Sequence, residues 1–429
     1  MHRNLLLALA TVAFTASVAF SATIYVPDNY PTIQGAIDAA SNGDEVVVRP
    51  GTYVENIDFR GKGILVTSET GPATTTIDAT QAGSAVTFQS GESNASEIRG
   101  FTIRNGQAGG SGTNYYGGGV TCRDWSSPTI TNNVITTNFG SKGAGIYCYY
   151  STPTIHANII QHNDAGASGI AAGLYCDYSS TTVTRNVFKA NRGTALQCKA
   201  ASALIAGNVF VNNFDVSGAC VYCSQPSNPI VSDNYFSHNT CAYRNGAGGL
   251  FCDDCSPTIV GNSVLNNTGY LYAGGIYVRE VANALVSHNT VMFNFTDRYG
   301  GGIECSGPSV VSISENVVIG NTSNNHGGGV FIGSGVWASV SNNIVANNSA
   351  ACGAGIDCRG SSTLLVNNTI YSNIATDRGG GLACGRDAYV DCQNTIFWNN
   401  LAPNGPEICL YAFNKRGATL AIDYCDVQG

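Results

Sequence analysis

The stretch Asn133-Val-Ile-Thr-Thr-Asn138 returns as Asn158-Ile-Ile-Gln-His-Asn163, then as Asn186-Val-Phe-Lys-Ala-Asn191, and onward to Asn394-Thr-Ile-Phe-Trp-Asn399. Eleven such phrases begin at residues 133, 158, 186, 208, 234, 262, 289, 316, 343, 368 and 394, a step of 22 to 28 residues. A step of that size marks a solenoid, in which each repeat touches only its neighbours. The 429 residues therefore count as one elongated unit and not as two or three compact domains.

Around each phrase stand three apolar stations. One is a glycine pair followed by an apolar residue and a cysteine, as in Gly118-Gly-Val-Thr-Cys122 and Gly380-Gly-Leu-Ala-Cys384. The next lies three residues before the first asparagine (Ile130, Ile155, Val183 and on to Leu365), and the last lies two after it (Ile135, Ile160, Phe188 and on to Ile396). The apolar segments are only three to five residues long and each ends in Gly or Asn, which a helix cannot accommodate. Alternation of period two sends the stations inward and their neighbours outward. The expected fold is all-β, a right-handed parallel β-helix with three strands per coil; handedness follows the rule for parallel crossovers. Asparagine at the bends is read as structural, because it tolerates positive φ and its amides can bond along a stack about 4.8 Å apart.

Residues 1–21 read as a secretory leader: His2 and Arg3, an apolar run from Leu5 to Phe20, and Ala19-Phe20-Ser21 as the cleavage site. The expected localisation is secreted or at the cell surface, without a transmembrane segment after leader removal. Residues 22–58 read as an N-terminal cap, with a strand at Thr23–Val26 and a helix in which Ile33, Ala36, Ile37 and Ala40 recur on one face. Residues 59–429 read as the repeats, and the pattern breaks off after Gly429 in a way that suggests a missing cap or sorting domain. Net charge is −8, and the 20 Lys and Arg are scattered singly. No basic stripe forms, so nucleic acid is not an expected partner. A monomer is expected.

Ten of the 16 cysteines fall in one repeat position: Cys122, Cys148, Cys176, Cys198, Cys223, Cys252, Cys305, Cys358, Cys384 and Cys409. Val278 and Ile332 fill the same position elsewhere, so it is apolar and inward, and buried reduced thiols are expected. Cys220-Val-Tyr-Cys223 and Cys252-Asp-Asp-Cys255 imitate a zinc spacing, but Cys223 and Cys252 already belong to the core column. No metal or other cofactor is expected. Calcium would need a carboxylate cluster, and the dispersed Asp and Glu do not supply one.

Between the stations of the cysteine strand runs an outward column that includes Tyr147, Tyr175, Tyr222, Phe251, Tyr277 and Phe331. Six aromatics facing water would offer sugar rings a stacking strip. The competing reading is that aromatics suit strands and stack on one another. Glu304 and Asp357 share the column two coils apart, about 9.6 Å, at the edge of the separation expected for the two carboxylates of an inverting glycosidase. They are the candidate catalytic pair. Loop residues Tyr243, Arg244, Tyr270, Tyr272, Tyr299, His326 and Arg378 would edge the same face.

With these repeats, Tyr30-Pro-Thr-Ile-Gln-Gly-Ala-Ile-Asp-Ala-Ala and Pro50-Gly-Thr-Tyr-Val-Glu55, the chain resembles the right-handed β-helix repeat proteins of the pectin-lyase-like superfamily. The resemblance implies the fold across essentially the whole mature chain. It leaves the activity open, because this fold hosts lyases, hydrolases, epimerases, adhesins and binding proteins. Signature strings of polygalacturonases, pectate lyases, pectin methylesterases and alginate epimerases are absent. The expectation is an exported protein that binds extracellular or cell-wall polysaccharide through an exposed aromatic column. A polysaccharide lyase or glycoside hydrolase, and a structural adhesin, are the alternatives.

Overall fold

The computed structural model describes residues 21–107, 116–167, 169–215, 218–242, 246–412 and 417–428. The leader expected at residues 1–21 falls almost entirely outside the described residues, as do Tyr243 and Arg244. Among the described residues the chain forms one helix and 52 strands, of which 45 stack in three long sheets of 16, 15 and 14 strands. One coil is Ile146–Tyr149, Thr154–His156 and Ile159–Gln161, and each strand pairs in parallel with its counterpart one coil on. The chain is a right-handed parallel β-helix, as the periodicity predicts.

A fourth sheet was not anticipated. Seven short strands, from Phe214–Asp215 to Ile374–Arg378, lie between the second asparagine of a phrase and the next glycine pair. Most hold only two residues, too few for alternation to reveal a strand.

Ile130, Ile155, Val183 and Leu365 of one station, and Ile135, Ile160 and Ile370 of another, are fully buried in one continuous core. Phe188, Phe210 and Phe236 stack inside it at centroid separations of 4.8 Å. The cysteine strands align Cys122, Cys148, Cys176, Cys198, Cys223 and Cys252 in register. All 16 cysteines are free thiols. Cys409 departs from expectation: it pairs with Ala383, and Leu410 takes the column position beside Cys384.

The asparagines form two buried ladders. Asn239 donates from its backbone N–H and its Nδ2 to Oδ1 of Asn267 at 3.0 and 2.9 Å, and Asn267 does the same to Asn294. Each Nδ2 also donates to a carbonyl of the previous coil, as Asn267 does to Phe236 at 3.1 Å. Positive φ belongs to the residue before each ladder asparagine, as at Asn266 (53°), His238 (55°) and Phe293 (56°), and not to the ladder residue itself. The last phrase is displaced by one residue. Thr395 and Asn400 close the ladders, Asn394 and Asn399 take the left-handed positions, and Phe397, not Ile396, points into the core.

The cap helix is Ile33–Ala39. Thr32 accepts from the N–H of Gly35 at 3.1 Å, and the Glu55 carboxylate takes the N–H groups of Ile33 and Gln34 at 2.9 Å each. At the other end Lys62 Nζ donates to the carbonyls of Ile37, Asp38 and Ala40 at 2.8 Å each. Orphan groups at both helix ends are thus satisfied from the first coil, which seats the helix over the core opening.

Candidate functional site

Backbone register places Tyr147, Tyr175, Gln197, Tyr222, Phe251, Tyr277, Glu304, Phe331 and Asp357 in one column on the outer face of the cysteine sheet. That face is not open to water. Tyr175 and Phe251 are 2% exposed, Tyr277 1%, Phe331 6% and Tyr147 9%, and Tyr222 is half-buried. The cover comes from the segment preceding each glycine pair: Ala171 lies over Tyr147 and Tyr175, and Ala247 and Ala273 lie over Phe251 and Tyr277. Ring faces are spent on one another, with Tyr222 to Phe251 at 4.9 Å and Phe251 to Tyr277 at 4.6 Å. The expected water-facing strip is therefore corrected to a second, external core.

Glycine makes the cover fit. A Cβ on Gly274 would stand 2.6 Å from the carbonyl oxygen of Gly301 one coil on, so only glycine lets successive loops descend onto the column.

A groove of about 770 Å³ opens over Glu304, with Tyr277 and Phe331 on its floor and Tyr272 and Tyr299 on its wall. Arg279, Arg359 and Arg386 stand around it. Tyr272 stacks on Tyr277 at 5.1 Å, Tyr299 packs on Phe331 at 4.8 Å, and Tyr277 shares a hydrogen bond with Ser306 at 2.8 Å. Glu304 is 1% exposed and its Oε2 has no hydrogen-bond partner. Burial pushes its carboxyl well above the usual range, against a hydrogen bond from the Ala273 backbone and the nearby Arg279 charge. Arg279 is tied to Asp253 through bonds of 2.8 and 2.6 Å.

Asp357 lies two coils from Glu304 with Phe331 between them, as the repeat count predicts. It is fully buried, and its Oδ2 lies 3.2 Å from both His326 Nδ1 and Arg359 Nε. The pair thus shares a column but occupies two different environments.

A second groove, of about 670 Å³, lies near the other end of the column between Tyr116, Lys142, Tyr147, Tyr149 and Asp177. Beside it Trp125, Tyr150 and Tyr178 face water, exposed by 77, 36 and 48%; Trp125 packs tilted on Tyr150 at 5.6 Å, and Tyr150 stacks on Tyr178 at 5.0 Å. All three sit at left-handed bends following their strands. Their alignment across successive coils was the signal that could have found them.

Residues 172–336 match the family model described as right handed beta helix region, and residues 37–249 match the model of the periplasmic copper-binding protein NosD. The fold of the chain is the right-handed parallel β-helix that the first of these models describes. No curated protein matches this β-helix. Among solved structures, the Agl-KA catalytic domain is 13% identical over 97% of this chain and 70% of its own, with a TM-score of 0.40. The A-module of the Azotobacter vinelandii mannuronan C-5 epimerase AlgE6 is 16% identical over 91% and 94%, with a TM-score of 0.36. The receptor binding domain of the siphovirus 9NA tailspike is 12% identical over 96% and 77%, with a TM-score of 0.35.

Copper is the ion that the NosD description names. Among the described residues of 37–249, no three His, Cys, Asp or Glu side chains bring donor atoms together, and the thiols of the ladder are sealed in the β-helix core. Among the described residues no helix is long and apolar enough to cross a membrane.

Proposed function

We propose that this β-helix protein is exported and binds extracellular or cell-wall polysaccharide along the outer face of the cysteine sheet. The observation that carries the reading is the groove beside Glu304, where the aromatic rings of Tyr272, Tyr277, Tyr299 and Phe331, a buried carboxyl and three guanidinium groups line one cleft. Flat rings stack on sugar faces, and arginine forks suit the carboxylates of acidic sugars. In this reading Tyr277 and Phe331 support the floor, while the half-buried Tyr272 and Tyr299 make the contacts. Tyr147 serves the second groove, and Tyr175, Tyr222 and Phe251 hold the column that joins the two.

A glycan array with the purified chain tests this. Retention of at least one polysaccharide is expected, and it should fall at least tenfold when Tyr272 and Tyr299 are both replaced by Ala. Equal retention by the double variant would sink the groove as the binding site.

Glu304 favours a second reading, that of a glycoside hydrolase or polysaccharide lyase. Burial pushes the Glu304 carboxyl upward, the direction a general acid requires, and Asp357 would then be the second carboxylate. Reducing ends or unsaturated products released from a glycan retained on the array, and abolished in Glu304→Gln without loss of binding, would establish it. Retention without product would leave binding alone.

A further inference from the structure

Three side chains that the sequence scatters meet beside the groove: His326, Cys352 and Asp357. His326 and Cys352 are backbone partners in adjacent coils. The chain then turns through Gly353 at φ 60°, where an added Cβ would stand 2.4 Å from the Cβ of Asp357, and the column position returns beneath Cys352. One donor atom from each of the three lies within 4.8 Å of the other two. Asp357 is fully buried, Cys352 is 3% exposed, and only His326 reaches partly to solvent.

The geometry is that of converging acceptors. His326 Nδ1 and Asp357 Oδ2 are 3.2 Å apart, close to the edge of about 3.3–3.5 Å subtended by two ligands held at about 2.0–2.2 Å in a tetrahedron. Such lone pairs need a cation between them, and here Arg359 supplies one. Its Nη2 donates to His326 Nδ1 at 2.7 Å, and its Nε donates to Asp357 Oδ1 at 3.3 Å. The fit is incomplete, because the buried Asp357 Oδ2 accepts no hydrogen bond of good geometry. The guanidinium also lies 5.6 Å from the centre of the Tyr411 ring, a face that can keep it when it leaves the cluster.

We propose that His326, Cys352 and Asp357 form a site for a borderline divalent transition-metal ion of the zinc class, with Arg359 as the displaceable cation that fills it otherwise. Nitrogen, sulfur and carboxylate oxygen in one set suit zinc or cobalt and not magnesium or calcium. Binding takes up the divalent ion, moves the guanidinium out and releases the Cys352 thiol proton to solvent. Because His326 stacks on Tyr299 at 5.7 Å, the ion would also fix the groove wall. The site stands on these residues alone and not on the polysaccharide reading.

Cobalt(II) titrated into the purified full chain under reducing conditions tests the proposal. One equivalent should produce a thiolate-to-cobalt charge-transfer band, which zinc(II) bleaches. The band should disappear in Cys352→Ser and in His326→Ala. Because 15 of the 16 cysteines lie elsewhere, a band that persists in Cys352→Ser overturns the assignment, as does no band in the parent. Arg359→Gln should bind cobalt several-fold more tightly, and equal or weaker binding would overturn the exchange. If Cys352→Ser does not fold, zinc should still raise the unfolding temperature of the parent and not that of His326→Ala; equal shifts would refute the site.

Discussion

Glu304 occupies a place that its neighbours in the column give to rings, with Tyr277 on one side and Phe331 on the other. Its carboxyl keeps its proton to higher pH in the folded chain than in the unfolded one, because burial penalises the charge. The folded state therefore holds more protons, and this residue's contribution to stability falls as pH rises from the unfolded value near 4.3 toward the raised folded one. Glu304→Gln should unfold at nearly the parent's temperature at pH 4 and several degrees above it at pH 7. A parent more stable than the variant at pH 7 would mean that the carboxylate is ionised and paired. The sequence revealed which residues share this column, since period two is a local property. It could not reveal their burial, because the covering alanines Ala247 and Ala273 come from loops before the glycine pairs, outside the alternation.

At the level of the element, the N-x-x-x-x-N phrase works through its interior partners. Replacing Asn267 by Ala would strand the N–H of Asn239 and remove one hydrogen bond each from Asn239 Nδ2, the carbonyl of Phe236 and Asn294 Oδ1, all buried. Unmade hydrogen bonds at such groups cost roughly 2–4 kcal/mol in total. Asn266, one residue earlier, is exposed at φ 53° and has no place in the ladder, so Asn266→Ala should cost below about 1 kcal/mol. Denaturant midpoints of the two variants measure the contrast, and equal losses would refute the ladder as the stabilising element. The same distinction explains the slip in reading the final coil. Asn394 and Asn399 repeat the phrase in letters, yet asparagine suits the left-handed position as well as the ladder, and the tandem Asn399-Asn400 lets the true register fall one residue later. Sequence spacing alone cannot separate two positions that favour the same residue.

For the whole molecule, the coil count converts sequence into distance. From Tyr147 in one groove to Tyr277 in the other the column climbs through Tyr175, Gln197, Tyr222 and Phe251, five coil steps or about 24 Å. A polymer lying along the sheet can enter both grooves at once, and the second contact then forms at high effective concentration. Affinity for a retained glycan should rise steeply once an oligosaccharide is long enough to span that distance, and level off beyond it. Calorimetry with a graded series of oligosaccharides measures the break. Lys142 lies 4.9 Å from the centre of the Tyr116 ring in the distal groove, so Lys142→Ala should abolish the gain from length while leaving short oligosaccharides unaffected. A smooth affinity series without a break, or one unchanged by Lys142→Ala, would confine binding to the groove over Glu304.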